Sequence, residues 1–342
     1  MELKRVVVTG LGAVTPLGLN VDETWEALLN GVSGAGPITH FDASQFKTQF
    51  ACEVKNFDPT LYLDKKEVRK FDRYAQFAVA AAKEAVGDSA LDLEKVDKNR
   101  VGVIFAAGIG GIRTFEEEVG GYFTNIERGP KFNPFFIPKM IADIAAGHIS
   151  MMYGFHGPNF ATVSACASST NALIDAFNYV RLGMADMIVS GGAEAPISIA
   201  GVGGFNAMHA LSTRNDDAEH ASRPFSASRD GFVMGEGAAC LILEELEHAL
   251  ARGAKIYAEV IGGGLSADAY HLTATPPEGL GAKLVMENAL ADAHIKPEEV
   301  DYINVHGTST PVGDISEAKA IKQVFGDHAY ELNISSTKSM TG

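Results

Sequence analysis

Short apolar runs separated by Gly-rich turns recur along the chain. Arg5-Val6-Val7-Val8-Thr9 ends in a Gly turn and predicts a strand buried on both faces. Similar runs at 101–106, 160–164, 187–189, 240–243, 256–261, 302–305 and 332–335 predict further strands. Between them, Val68, Phe71, Ala75, Ala78, Val79 and Ala82 fall on one face of a helix. Leu173, Ala176, Phe177 and Val180 do the same, and Arg181 with Gly183 form a helix stop. Buried strands alternating with helices predict an α/β fold with at least one mainly parallel core. A strand, a Gly turn and small residues recur in order: 5–18 is echoed by 255–270, 101–111 by 302–313, and 159–172 by 331–342. With 342 residues and no low-complexity linker, two domains or one duplicated unit are expected.

Composition narrows the class. Apolar residues make up 46% and charged residues 21%, too much apolar material for a disordered chain. The formal net charge of −15 disfavours nucleic acid and anionic membrane as partners. Cys52, Cys166 and Cys240 are far apart and form no CxxC pair, against a disulfide framework or a structural zinc site. A reducing cytoplasm is the expected compartment. The N-terminus lacks a signal-peptide layout, and no apolar run is long enough to span a bilayer.

Several patterns mislead. Gly10-Leu11-Gly12 follows a strand, but Thr15 stands where a dinucleotide fingerprint needs Gly or Ala, and no acid-tipped second strand follows. The glycines at 108–111 and 262–264 have no Lys-Ser/Thr to hold a phosphate. His148, His156, His209 and His220 lack metal-ligand spacing.

Phe160-Ala161-Thr162-Val163-Ser164-Ala165-Cys166-Ala167-Ser168 reads as a strand running into a helix, with Cys166 at the turn. Free N–H groups and the positive helix end there favour a thiolate and can bind an oxyanion. The alternative is an inert buried thiol, the usual fate of a free cysteine. Cys52 and Cys240 read as packing residues. His306 emerges at another strand end, where α/β proteins place active sites, with the hydroxyls of Thr308 and Thr310 close by. A third strand end carries Lys338 among small hydroxyl residues.

Ser164-Ala165-Cys166, His306-Gly307-Thr308-Ser309-Thr310-Pro311 and Ser336-Thr337-Lys338-Ser339-Met340-Thr341-Gly342 resemble the three signatures of the β-ketoacyl-acyl-carrier-protein synthases, in order and at about the family spacing. Stretches 6–18, 108–111, 133–136, 191–194, 203–205, 211–215, 229–236 and 268–273 agree, so the resemblance covers the whole chain. It is closest to the type II elongating synthases. The resemblance implies a thiolase-like fold of duplicated halves layered α-β-α-β-α, with 1–254 as the N-terminal half and 255–342 as the start of the C-terminal half. It implies Cys166 as acylated nucleophile, His306 as one of two histidines holding the malonyl thioester, and Lys338 as the lysine that orders the site. Thr308 and Thr310 match threonines that contact the phosphopantetheine arm. Ile109 and Phe205 fall where the family lines its acyl channel, and Phe136 where it reaches a dimer partner. No bound cofactor or metal is implied: substrates arrive on the phosphopantetheine arm of acyl carrier protein. The family motif continues with a second histidine directly after the last residue here, so the resemblance implies a longer natural chain. A chain ending at Gly342 would be crippled in decarboxylation.

An acidic carrier protein needs a basic face on an acidic enzyme. Lys66, Arg69, Lys70 and Arg73 recur at i, i+3, i+4 and i+7 and read as one helical stripe, either a docking site or a solvated face. Among related chemistries, a biosynthetic thiolase needs a second cysteine segment that is not present, and an initiating synthase lacks the Lys338 motif. A polyketide ketosynthase shares all three motifs. A non-catalytic chain-length subunit lacks the nucleophile.

Overall fold

The computed structural model describes residues 3–342. Its strands are β1 (Val6–Val14), β2 (Gly36–Pro37), β3 (Phe50–Ala51), β4 (Val101–Ala106), β5 (Asn159–Phe160), β6 (Met187–Glu194), β7 (Gly237–Glu245), β8 (Ala258–Val260), β9 (Tyr302–Asn304) and β10 (Asn333–Ser335). Its α-helices are α1 (Val21–Leu29), α2 (Lys65–Val68), α3 (Arg73–Asp88), α4 (Ile112–Thr124), α5 (Phe136–Met140), α6 (Ile144–Tyr153), α7 (Ser168–Arg181), α8 (Ile199–Ala207), α9 (Leu246–Ala251), α10 (Leu280–Ala293), α11 (Gly313–Phe325) and α12 (Lys338–Thr341). The chain forms two compact units. One comprises the chain up to Asn30 with Glu53–Val202 and Gly235–Val260. The other comprises Gly31–Cys52, Gly203–Met234 and Ile261–Gly342.

The first unit is built on a six-stranded sheet in the order β5-β4-β6-β7-β1-β8. Strand side chains alternate between the two faces. Val101, Val103 and Phe105 of β4 pack with Tyr74, Phe77, Ala78 and Ala81 of α3 and Ile149 of α6. Ile104 and Ala106 pack the other way, with Ala172, Ala176, Phe177 and Val180 of α7. A run covered on both faces has to be continuously apolar, which explains the patterning of β4. The expected mainly parallel core is instead a mixed sheet. β4 pairs in parallel with β5 and β6, whereas β7 pairs antiparallel with β6 and β1, and β8 antiparallel with β1. Burial on both faces leaves the same apolar signature in either pairing, so the runs could not disclose it.

Gly10 and Gly12 have a packing purpose. A Cβ at either would lie 2.2 Å from the Ala85 carbonyl oxygen or 2.0 Å from that of Ala81, because α3 presses its backbone against β1.

In the second unit β9 and β10 pair in parallel, and β2 and β3 form a short antiparallel ribbon. Val305, Ile321 and Phe325 form a core with Met286 and Leu290 of α10. The parallel pair β4/β5, each strand leading towards a helix, has its counterpart in β9/β10. This is the internal echo expected from the sequence.

Candidate active site

Cys166 lies in a single 3₁₀ turn, Ala165–Ala167, leading directly into α7. The strand expected over 160–164 stops at Phe160. Beyond it, side chains replace the ladder. Ser168, buried at the first turn of α7, accepts the Ser164 N–H (2.8 Å) and donates to the Ala165 carbonyl (2.7 Å). Thr162 donates to the Ser168 carbonyl (2.8 Å), and Asn171 donates to the Ser164 hydroxyl (2.7 Å). Ala165 is forced to φ +51°. A left-handed alanine costs about 1–3 kcal/mol and persists only where the surroundings over-determine it. Cys166 is exposed, whereas Cys52 and Cys240 are buried. Burial pushes the Cys240 thiol pKa upward.

The second unit brings together His306, Thr308, Thr310 and Lys338. His306 follows β9, and the loop after it is clamped by Glu317 on α11. Its two carboxylate oxygens accept the N–H groups of His306 (2.7 Å) and Gly307 (2.8 Å). Ser309 is fully buried at φ +66°; its hydroxyl accepts the Arg223 N–H (3.0 Å), and its carbonyl accepts the Gly231 N–H (3.1 Å). The hydroxyls of Thr308 and Thr310 lie 3.0 Å apart, and Arg229 donates to the Thr310 carbonyl (3.0 Å) while pairing with buried Asp314 (3.3 Å). Lys338 opens α12, and its carbonyl accepts the Ser222 hydroxyl (2.6 Å). The His306 ring keeps contact with solvent but is crowded by protein. That burial first, and the positive charge of Lys338 second, hold its pKa below the ordinary 6.5. Glu317 was not anticipated, because it lies a helix turn beyond the His306 motif. An acid early in the helix after a Gly-containing histidine loop is the signal that could have found it.

The basic residues do not form one stripe. The helix expected to run from Val68 to Ala82 breaks between α2 and α3, where Asp72 caps α3 by accepting the Tyr74 N–H (3.2 Å). Lys66 and Arg69 are exposed, and Lys70 pairs with Glu67 (2.6 Å). The Arg73 side chain turns inward. It pairs with Glu236 (3.0 Å), which is 1% exposed, donates to the Val54 carbonyl (3.0 Å) and lies over the Phe77 ring. Arg73→Ala should therefore act on stability, stranding a buried carboxylate at a cost of roughly 3 kcal/mol. Urea denaturation checks this, and an unchanged midpoint would refute it.

Ile109 is half exposed in the loop between β4 and α4. Phe205, on α8, meets Phe232 edge-to-face with ring centroids 5.3 Å apart. Phe136 opens α5 and stacks on Phe132 (5.6 Å) within a patch where Phe115, Phe132, Phe135 and Ile137 are exposed. Among the described residues no group of three His, Cys, Asp or Glu side chains could hold a metal ion, and no helix is long and apolar enough to cross a membrane.

Sequence models of the β-ketoacyl synthase N-terminal and C-terminal domains match residues 3–249 and 257–342. The chain belongs to the β-ketoacyl synthase family. Among members of this family, the chain is 52% identical over its whole length to 3-oxoacyl-[acyl-carrier-protein] synthase 2 of Coxiella burnetii, covering 82% of that protein. It is 50% identical to the protein of the same name from Synechocystis, again over the whole chain and 82% of the relative. Of solved structures, a β-ketoacyl synthase from Burkholderia phymatum matches 99% of this chain at TM-score 0.90 and 34% identity, over 82% of its own length. A type II polyketide ketosynthase, solved in complex with its acyl-carrier protein, matches the whole chain at TM-score 0.90 and 35% identity, over 82% of its own length. This β-ketoacyl synthase thus has the mixed α/β, thiolase-like fold of its family.

Proposed function

We infer that this β-ketoacyl synthase elongates fatty acyl chains by decarboxylative condensation, joining an acyl group held on Cys166 to a malonyl unit carried by acyl carrier protein. The observation that carries the reading is the exposed Cys166 on a strained turn at the mouth of α7, in a chain about half identical throughout to proteins named 3-oxoacyl-[acyl-carrier-protein] synthase 2. The Cys166 thiolate attacks the acyl thioester carbon. The new C–S bond forms as the bond to the phosphopantetheine sulfur breaks, and that sulfur takes up a proton. Backbone N–H groups at the helix mouth, including that of Cys166, meet the oxyanion. Malonyl carrier protein then loses CO2, leaving its bonding electrons in a thioester enolate that His306 stabilises by hydrogen bonding. The enolate carbon attacks the acyl-Cys carbonyl and expels the thiolate, giving a 3-oxoacyl product and restoring Cys166. Lys338 orders the site electrostatically, and Thr308 and Thr310 contact the pantetheine arm. No cofactor takes part.

The finer parts of the reading have separate support. Ile109 and Phe205 line the acyl channel by family position. Residues 1–254 are the family's N-terminal half and 255–342 the start of its C-terminal half. The exposed aromatic patch around Phe136 favours a homodimer. The compartment is cytoplasmic, with neither nucleic acid nor membrane as partner. Carrier protein docks on Lys66, Arg69 and Lys70, because an acidic partner needs a local basic surface on a chain of net charge −15. Arg73 has no part in docking, since its charge is spent on Glu236. Reversing Lys66 and Lys70 to Glu should raise the KM for acyl carrier protein by roughly tenfold at low salt with little change in kcat. An unchanged KM at low salt would dismiss this docking face.

A further inference from the structure

Two carboxylates, half-buried Glu194 and buried Asp72, hold the loop joining β4 to α4 and the first turn of α4. Glu194, the last residue of β6, accepts the Ile109 N–H at 2.7 Å and the Gly110 N–H at 3.1 Å. A Cβ on Gly108 would stand 2.9 Å from the same carboxylate and 3.5 Å from the carbonyl oxygen of Ala165, the residue before the nucleophile. A side chain there would press on the Glu194 carboxylate, while the Cys166 turn lies at ordinary contact distance. Further along, buried Asp72 accepts both the N–H (3.0 Å) and the hydroxyl (2.6 Å) of Thr114. Between these anchors the Gly111 N–H reaches the Met140 carbonyl at 3.0 Å. Burial raises the pKa of both carboxylates, against the pull of the N–H groups bound to them. Burying a carboxylate is costly unless hydrogen bonds compensate, and for Glu194 the compensating groups are backbone N–H groups of this loop. What that loop presents is Ile109.

We propose that Glu194 is a positioning residue that fixes Ile109, and through it the length of acyl chain that Cys166 accepts. The proposal rests on the reading of Ile109 as part of the acyl channel. Glu194 touches no reacting atom. It sets where one wall of the channel stands.

The test compares acylation of Cys166 by hexanoyl- and myristoyl-carrier protein, followed by intact mass, in the parent enzyme, Glu194→Gln, Ile109→Ala and the double variant. Glu194→Gln keeps the shape but replaces one acceptor oxygen with a donor facing an N–H. It should change the ratio of the two rates by roughly tenfold, the size of effect expected from a displaced apolar wall. In the Ile109→Ala background the same substitution should change the ratio by less than about twofold, since the side chain it positions is gone. A general loss of structure would lower both rates and leave the ratio alone. If Glu194→Gln does not fold, Glu194→Asp, which keeps the charge but draws it back by one methylene, is read in the same way. An unmoved ratio in a folded variant, or an equal shift with and without the Ile109 side chain, overturns the proposal. A parent enzyme that takes up neither acyl group overturns the condensation reading, and this proposal with it.

Discussion

Replacement of Cys166 by alanine is expected to abolish condensation, with turnover falling by more than about a thousandfold, as when the nucleophile of a covalent mechanism is removed. The reason is local. Of the three thiols only Cys166 is exposed, and it stands just before the amino end of α7, the positive end of the helix. Incubation with acyl-carrier protein followed by intact mass should show one acyl group on the parent enzyme, mapped to Cys166, and none on Cys166→Ala. Iodoacetamide should label Cys166 first, because Cys52 and Cys240 are buried and burial also disfavours the Cys240 thiolate. The folded variant should keep the parent's melting temperature, since an exposed side chain contributes little packing. An acyl group found on Cys52 or Cys240, or product formation by the alanine variant, would end the assignment of Cys166.

The candidate site residues stood out in the sequence because each sits at the end of a short apolar run among small residues, a local pattern. Cys166, His306 and Lys338 all follow strands that the runs predicted. What the pattern could not supply was anything depending on residues far apart. Arg73 looked like part of a basic stripe until its partner, Glu236, was placed beside it from 163 positions away. The Asp72 cap that ends the supposed single helix was visible in principle, since aspartate before a helix is a start signal. The apolar spacing across the break masked it. The strand expected to reach Ser164 stopped at Phe160 because Thr162 and Ser168 satisfy the backbone with hydroxyls, a competition with the ladder that apolar counting ignores. Glu194 and Glu317 act in the same manner, binding N–H groups of loops that carry the expected site residues. An acid alone in a sequence does not reveal which loop it will clamp.

The second large effect concerns His306 and can be read as a shift along the pH axis. To hydrogen-bond a developing enolate while leaving the site without an added charge, the ring must be neutral. Burial and the nearby Lys338 both disfavour its protonated form, so its pKa lies below 6.5, although Glu317 and Asp314 pull the other way. The sign follows: the neutral ring persists as pH falls past 6.5, and decarboxylation is lost only as pH drops through the lowered pKa. The acid limb of CO2 release from malonyl-carrier protein should therefore lie below pH 6.5. The linkage to folding has the same direction, because the unfolded chain takes up this proton first and stability declines with acid below the unfolded pKa. Lys338→Met removes the positive neighbour, so the limb should move to higher pH. It should not move the whole way to 6.5, because burial is the larger cause. The position of the limb, not its height, is the measure, since Lys338 also orders the site. His306→Ala should cost about 3 kcal/mol of transition-state stabilisation, the usual worth of one oxyanion donor, and should erase this limb entirely. A limb that stays in place after Lys338→Met would show that Lys338 does not act on His306. An acid limb surviving in His306→Ala would assign the titration, and with it the enolate contact, to another group.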